Sequence, residues 1–166
     1  RMPTFTLVPG DGIGPEVIGA AVRLLEGLCP DLTWERYPAG QQACDETGEF
    51  LPAALLESVR RNRVALKGPV TTPVGCGFRS VNVALRKQLG LYAGLRPARN
   101  RPGLASRYTG VDIVVVRENT EGLYAGIEHE LLPGIVETVK VTTELASRRI
   151  AEFAFRYARE HGRRKV

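Results

Sequence analysis

Short apolar runs alternate along the first part of the chain with longer segments in which apolar residues recur every three or four positions. The runs predict strands at residues 4–8, 32–36 and 63–67. Helices are predicted from Pro15 to near Pro30 and again from Pro52, since proline is well tolerated in a first helical turn. Strands that alternate with helices predict an α/β layer architecture with parallel strands. Ligands of such sheets bind beyond the carboxyl ends of the strands.

The first part of the chain also contains a polar segment and an amphipathic helix. The segment up to residue 50 is polar and contains Gly40 and Gly48, which predicts a loop. The first helix is expected to bury one apolar stripe. The stripe consists of Val17, Ile18, Ala21, Leu24, Leu25 and Leu28.

A further helix is predicted to begin at about Ser80, because serine is a preferred N-cap and Gly90 is placed to end the helix. Asn82 and Arg86 lie one turn apart on the face beside its apolar stripe. Ser80 lies at the helix start, where free N–H groups and the macrodipole favour an anion. The pattern indicates a carboxylate-binding site. The apolar stripe consists of Val81, Leu85 and Leu89.

The second part of the chain reads mainly as strands. Residues 91–96 alternate, and Arg96 is the last of them before a proline. Residues 111–116 form a β-branched run, which predicts a strand covered on both faces. Arg117 follows this run and either pairs with a nearby acid, Glu118 or Glu121, or binds an external anion.

The rest of this part predicts a link, a hairpin and a helix. Residues 99–109 are rich in Arg, Pro, Gly and Ser, which is typical of a surface link, and residues 135–141 alternate as in a strand or hairpin. A last helix is predicted over residues 143–161. Its expected buried residues are Ala146, Ile150, Phe153, Ala154 and Tyr157.

Composition narrows the class of protein. The chain has 166 residues, of which 43% are hydrophobic and 25% charged, as in a soluble globular protein rather than a disordered one. The net charge of +5 is spread along the chain, which argues against nucleic-acid binding, and no apolar run is long enough to span a membrane. Three cysteines without a CxxC spacing indicate neither a disulfide framework nor a zinc site, so a reducing, cytoplasmic location is expected.

A glycine-rich segment follows the first predicted strand. Gly10, Gly12 and Gly14 suggest a dinucleotide fingerprint, but the third glycine of GxGxxG would fall at Pro15. The spacing therefore favours a tight structural turn over a Rossmann phosphate loop.

Seven short motifs follow one another along the chain. They are GDGIGPE from Gly10, KGP from Lys67, TTP from Thr71, RSVN from Arg79, LYA from Leu91, LRP from Leu95 and RENTEGLY from Arg117. Taken in order, these motifs resemble one family, the decarboxylating β-hydroxyacid dehydrogenases that act on isocitrate, homoisocitrate or isopropylmalate. Within it, the chain is most similar to bacterial NAD-type isocitrate dehydrogenases, over the amino-terminal half only.

The resemblance implies the α/β fold of that family, which is not a Rossmann fold. It places the first part of the large domain at residues 1–97, and the start of the small domain, with a subunit-joining arm, at 98–166.

The resemblance also implies roles for individual residues. Tyr124 matches the catalytic tyrosine of the family, Thr71 matches a residue that contacts the nicotinamide cofactor, and Ile13 is expected to make a minor cofactor contact. Arginines from three elements would hold the carboxylates of a small polyacid, with Ser80 and Asn82 binding the carboxylate that distinguishes isocitrate from its relatives. The expected substrate-binding residues are Ser80, Asn82, Arg86, Arg96 and Arg117.

The activity implied is oxidation of isocitrate to 2-oxoglutarate and CO₂ with NAD or, as the alternative, NADP, and with Mg²⁺ or Mn²⁺. In the family the metal-binding aspartates and a catalytic lysine lie in the second half, so no metal ligand is expected here and this portion alone should be inactive. Homoisocitrate or isopropylmalate dehydrogenase, and a non-catalytic regulatory half that binds the polyacid, remain the alternatives. The expected partners are a tricarboxylate substrate and either a second copy, in a homodimer or higher oligomer, or a complementary C-terminal half, with no nucleic acid and no membrane.

One position departs from the family pattern. Gly94 stands where the family usually has Asn or another side chain before Leu-Arg-Pro. Glycine within a strand weakens it, so the strand that carries Arg96 is expected to be loosened.

Overall fold

The computed structural model describes residues 4–71 and 80–166, which divide into two compact units, one up to Leu89 and one from Gly90 onward. The elements of the first unit are β1 (Thr4–Val8), α1 (Gly14–Leu28), β2 (Thr33–Arg36), α2 (Gln41–Thr47), α3 (Ala53–Asn62), β3 (Ala65–Lys67) and α4 (Val81–Gln88). Those of the second are β4 (Ala93–Arg99), β5 (Asp112–Glu118), β6 (Gly122–Leu132), β7 (Ile135–Val141) and α5 (Glu144–Glu160).

The first unit contains a three-stranded parallel sheet in the order β2-β1-β3. Successive side chains of a strand point to opposite faces, so Leu7 packs with the α1 residues Ile18 and Val22, while Val8 packs with Leu55 of α3. The central strand is thus covered by helices on both faces. The predicted α/β arrangement with parallel strands is confirmed in this unit.

The predicted buried stripe of α1 is only partly correct. Ile18 is buried, but Val17, Leu24 and Leu28 are exposed, and Val22, outside the predicted stripe, is buried instead. The helix has apolar residues on more than one face, so periodicity alone does not say which face meets the sheet.

The polar segment predicted as a loop contains the helix α2, so that prediction was wrong. Gly40 precedes α2, and Gly48 ends it in the left-handed conformation with φ +79°. Gln41 donates a side-chain hydrogen bond to Asp45 four residues on, at 2.8 Å. Ala43 is fully buried. The two glycines that suggested a loop are the boundaries of a short helix.

Backbone hydrogen bonds join the turns that follow β1 and β3. The amide of Asp11 donates to the carbonyl of Pro69 at 2.9 Å, and the amide of Gly68 donates to the carbonyl of Val8 at 2.8 Å. Gly10 has φ +81°, and a Cβ at this position would collide with the Pro69 carbonyl oxygen. The tight structural turn expected from the sequence is therefore a crossing of two backbone segments.

Gly10→Ala should destabilise the protein more than Gly12→Ala. Gly12 also has a positive φ, of +58°, but has open space around it, so its substitution should cost only about 1–2 kcal/mol of backbone strain. Gly10→Ala adds a collision with backbone and should cost about 2–5 kcal/mol in the free energy of unfolding. Equal losses for the two variants in denaturant titrations would contradict the crossing.

The second unit consists of two antiparallel pairs, β4-β5 and β6-β7, with α5 against β5. Val114 and Val116 are half-buried, whereas Ile113 and Val115 on the other face are 57% and 50% exposed. Within the described residues, one face of this strand is thus exposed, and the prediction that both faces are covered is not met. A β-branched run predicts a buried strand, but it does not show which elements cover each face.

The predicted hairpin at residues 135–141 is confirmed as β7, which pairs with β6 through two register irregularities. The last helix also lies close to its predicted bounds, and Thr143 caps it by accepting a hydrogen bond from the amide of Ala146 at 3.1 Å. Ala146 and Ala158 are its buried residues, while Phe153 and Tyr157 are half-buried and stacked.

The boundary between the two compact units falls after Leu89 in the chain, whereas the domain boundary expected from the sequence lies at 97/98. That expected boundary falls inside β4, which pairs with β5 over its whole length. The domain limits of the complete protein stay a prediction. Across the parts that the structure describes, no helix is long and apolar enough to cross a membrane.

Candidate functional site

The first unit presents Ser80, Asn82 and Arg86 on α4 as the sequence predicts. Ser80 is the N-cap residue, yet its hydroxyl accepts no capping hydrogen bond from the helix. Val81 is buried, while Asn82 and Arg86 are half-buried one turn apart. Arg86 forms no ion pair with a described carboxylate. A free hydroxyl, an amide and an unpaired guanidinium can together bind a carboxylate.

Lys67 was missed as a site residue, although it opens the KGP motif. Burial lowers the pKa of its amine, and the nearby charge of Arg86 lowers it further, against a smaller opposite effect of Asp11. The ammonium donates to the carbonyl of Gly68 at 2.7 Å. The charges of Lys67 and Arg86 repel each other, and a bound anion would relieve this repulsion. The sequence signal was a lysine at the carboxyl end of a parallel strand.

Asp11 connects the segments that carry the two expected cofactor residues. One oxygen of its carboxylate, Oδ2, accepts hydrogen bonds from the amides of Thr71 at 3.1 Å and Gln41 at 3.2 Å. Ile13 lies two residues further along the same turn and is 67% exposed. Thr71 and the Ile13 turn are therefore held at the same edge of the parallel sheet. Residues 72–79, which complete the TTP motif and begin the RSVN motif, lie outside the described residues.

In the second unit, Arg96 and Arg117 lie on one face of the β4-β5 ladder. Gly94 is directly opposite Arg117, and Arg96 is opposite Val115. Residues directly opposite each other share a face, as do residues two apart on one strand. Arg96 and Arg117 are therefore diagonal neighbours, whose Cα atoms are usually about 7–8 Å apart in such a ladder. Both arginines are exposed.

Arg117 contacts Tyr124 in two ways. Its guanidinium donates a hydrogen bond to the phenol oxygen, and its Cζ lies 5.0 Å from the centre of the tyrosine ring. Both residues line an open cavity of about 350 Å³ that is bounded on its other side by Ala146 and Ile150 of α5. The structure thus brings the expected catalytic tyrosine to an expected substrate-binding arginine.

The two nearby acids do not neutralise Arg117. Glu118 pairs instead with Arg149 of α5, at 3.0 Å. Glu121 accepts hydrogen bonds from the amide and hydroxyl of Thr143, at 2.8 and 2.7 Å. Neither acid therefore pairs with Arg117, and its binding of an external anion stays a prediction. Arg96 likewise has no ion pair with a carboxylate in the described ranges.

Glu118 lies at the centre of a network that joins β5 to α5. Partial burial opposes its ionisation, but the hydroxyl of Thr120, the amides of Glu121 and Thr120, and the side chain of Arg149 all bond its carboxylate. These bonds outweigh burial and lower the pKa of Glu118 below its ordinary value of 4.5.

Glu118→Gln should therefore destabilise the protein in a pH-dependent way. A lowered pKa in the folded state means that ionised Glu118 contributes its full stability above pH 4.5 and loses it as pH falls through the folded pKa. The variant should melt below the wild type at pH 7, and the gap in Tm should close as pH falls from 4.5 through the folded pKa of Glu118. Glu144→Gln, in an exposed pair with Arg148, is the matched control and should change little at either pH. A gap independent of pH would contradict the role of the charge.

Residues 4–71 and 80–166 contain no group of three His, Cys, Asp or Glu side chains that could hold a metal ion. The residues predicted to bind substrate or cofactor are cationic or neutral, and such groups suit carboxylates rather than Mg²⁺.

Comparison with known proteins agrees with the motifs. The family model described as isocitrate/isopropylmalate dehydrogenase matches residues 4–166. The chain is 48% identical to the mitochondrial NAD isocitrate dehydrogenase catalytic subunit 5 of Arabidopsis thaliana, over 98% of this chain and 44% of that protein. It is also 48% identical to the chloroplastic 3-isopropylmalate dehydrogenase of Solanum tuberosum, over 97% of this chain and 45% of that protein.

Two further comparisons bear on assembly and on fold. Regulatory subunit 1 of the Arabidopsis NAD isocitrate dehydrogenase is 50% identical over 97% of this chain and 42% of that protein. The crystal structure of isocitrate dehydrogenase from Methylococcus capsulatus matches with a TM-score of 0.93 and 48% identity, over 99% of this chain and 50% of that chain. The chain thus spans about half the length of the proteins it resembles.

Proposed function

The chain belongs to the isocitrate/isopropylmalate dehydrogenase family, and from this premise we propose that the complete protein is an NAD-dependent isocitrate dehydrogenase that yields 2-oxoglutarate and CO₂. This chain, with the α/β fold of the family, supplies substrate-binding arginines and the catalytic tyrosine. The relatives are about twice as long, so the activity is proposed for the protein with the remaining portion.

The observation that carries the proposal is the contact of Arg117 with Tyr124, beside Arg96 on the same face of the sheet. Unpaired guanidinium groups beside a phenol suit a substrate with several carboxylates that also undergoes proton transfer. A hydrogen bond between a guanidinium and a carboxylate contributes about 1.5–3 kcal/mol, so the substrate would offset the cost of keeping these cations unpaired.

The choice of isocitrate rests on Ser80 and Asn82. Both side chains are polar and lie at the amino-terminal end of α4, where backbone N–H groups add to the attraction for a carboxylate. Isopropylmalate carries an isopropyl group in place of that carboxylate, and an apolar group there would leave the hydroxyl and the amide without partners. Homoisocitrate differs by one methylene group and is the nearest alternative substrate.

Tyr124 is proposed to return a proton to the substrate carbon after CO₂ has left. Because Arg117 donates to the phenol oxygen, the phenol proton remains available to another acceptor. The positive charge of Arg117 also stabilises negative charge that develops on the phenol oxygen as the proton leaves. Arg117 would therefore both hold a substrate carboxylate and assist the acid.

Thr71 and Ile13 are proposed to contact the cofactor, with NAD favoured over NADP. Their placement at one edge of the parallel sheet, through Asp11, supports this assignment. The nicotinamide ring, when bound, supplies the hydride acceptor. The Mg²⁺ or Mn²⁺ expected for the family does not fit the donor groups of the described residues, so its ligands are proposed to come from the portion that this chain does not span.

A dimer or higher oligomer and a cytoplasmic location also remain proposals. Exposed apolar residues on the β6-β7 hairpin, which matches the subunit-joining arm of the family, support association with a partner subunit. The partner can be a second copy or a different subunit, since the relatives include subunits of NAD isocitrate dehydrogenase. The exposed residues are Ile127, Leu131, Leu132, Ile135 and Val136.

The experiment that tests the function compares reduction of NAD and NADP by the complete protein with isocitrate, homoisocitrate and isopropylmalate, each with Mg²⁺. Reduction of NAD with isocitrate is expected. Turnover of isopropylmalate alone would overturn the substrate assignment. Binding of isocitrate in calorimetry without turnover would instead support a regulatory subunit, a function favoured by the 50% identity to regulatory subunit 1.

A further inference from the structure

Asn119 has a side chain that neither the sequence nor the proposed function has used. The residue follows β5 and is only 8% exposed, and its backbone amide extends the ladder by donating to the carbonyl of Tyr92 at 2.8 Å. The side-chain amide makes no hydrogen bond within the described part of the chain, and its polar atoms keep access to solvent. An accessible amide that is not used by the fold is available to a ligand.

The carboxamide of Asn119 lies over Gly94. A Cβ added to Gly94 would be 2.5 Å from Nδ2 of Asn119 and 3.3 Å from its Cγ, so a larger residue at position 94 would require the amide to move. Gly94 is directly opposite Arg117, and Arg96 is two residues further along the same strand. The amide therefore occupies the arginine-bearing face of the ladder, at the point where a side chain of residue 94 would otherwise project.

We propose that the Asn119 carboxamide is a further substrate-binding group, which donates to a carboxylate or hydroxyl of the polyacid held by Arg96 and Arg117, and that Gly94 makes room for it. This inference rests on the proposed function and deepens it. A neutral amide adds a donor without neutralising Arg117, whereas an acid there would compete with the substrate for the guanidinium. The departure of Gly94 from the family pattern thus acquires a reason.

The test uses the complete protein and measures KM and kcat for isocitrate together with its Kd by calorimetry. Asn119→Ala should raise KM and Kd about tenfold to a hundredfold, the loss of one hydrogen bond to a charged group, while kcat changes less. Asn119→Asp keeps the shape of the side chain and should raise KM further, because its carboxylate pairs with Arg117. It also separates loss of binding from loss of folding.

Two variants test whether Gly94 acts through Asn119. Gly94→Ala should displace the amide and raise KM as Asn119→Ala does, and the double variant should bind isocitrate no more weakly than Asn119→Ala alone. Asn100→Ala is the matched control at the other end of the sheet, where the amide bonds the Tyr108 carbonyl at 2.8 Å and accepts from the Val111 amide. It should lower Tm without changing KM.

The outcomes distinguish failure of the proposed function from failure of the role of Asn119. If the wild type neither binds nor oxidises isocitrate, the proposed function is overturned, and the role of Asn119 in binding this substrate is overturned with it. If the wild type is active and both Asn119 variants keep KM and Kd within about twofold, the role of Asn119 is overturned. Additive effects of Gly94→Ala and Asn119→Ala would overturn the role of Gly94.

Discussion

Arg117→Gln is expected to reduce kcat/KM for isocitrate by about 10² to 10⁴. A guanidinium can form two parallel hydrogen bonds to one carboxylate, each contributing about 1.5–3 kcal/mol, and glutamine cannot replace their charge. The substitution also removes the donor to the Tyr124 phenol. Both KM and kcat should therefore change, since binding and proton transfer depend on the same side chain.

Arg117→Lys separates the two contributions. Lysine keeps the positive charge but lacks the planar fork of guanidinium, so it should restore only part of the substrate affinity. Arg148→Gln is the control, because Arg148 forms an exposed ion pair with Glu144 on α5. That variant should have wild-type kinetics, and an Arg117→Gln enzyme with wild-type kcat/KM would remove Arg117 from the site.

Tyr124→Phe is expected to lower kcat by about 10² to 10⁴, the usual contribution of a positioned general acid, while Kd for isocitrate changes little. Phenylalanine keeps the ring beneath the Arg117 guanidinium, which lies 5.0 Å from the ring centre, and removes only the hydroxyl. Steady-state kinetics and calorimetry on the complete protein measure the two quantities separately.

The chain offers a matched control for this substitution. Tyr108 also lies beside an arginine, with Arg107 Cζ 5.4 Å from its ring centre, but it is exposed and lies outside the candidate site. Tyr108→Phe should leave kcat unchanged. If Tyr124→Phe behaved like Tyr108→Phe, proton transfer would have to be assigned to another group, and Arg117 would keep only its substrate-binding role.

Much of the fold was predictable because its elements have strong local signals. The strand at β1, the proline-led start of α1 and the Thr143 cap of α5 follow from chain geometry, hydrophobic period and capping chemistry. The failures occurred where a local signal has two meanings. Gly40 and Gly48 are compatible with a loop as well as with the two ends of α2.

The sequence by itself determined the family, the α/β class and the identities of the candidate site residues, because these follow from local periodicity and from motifs whose order is written in the chain. Only the tertiary structure decided which groups meet. In it, Glu118 forms an ion pair with Arg149, Arg117 donates a hydrogen bond to Tyr124, and the side chain of Asn119 lies against Gly94. Pairing depends on strand register and on helix placement, and a register shift of one residue would turn Arg117 to the opposite face. Such distances between residues far apart in the chain have no local signal.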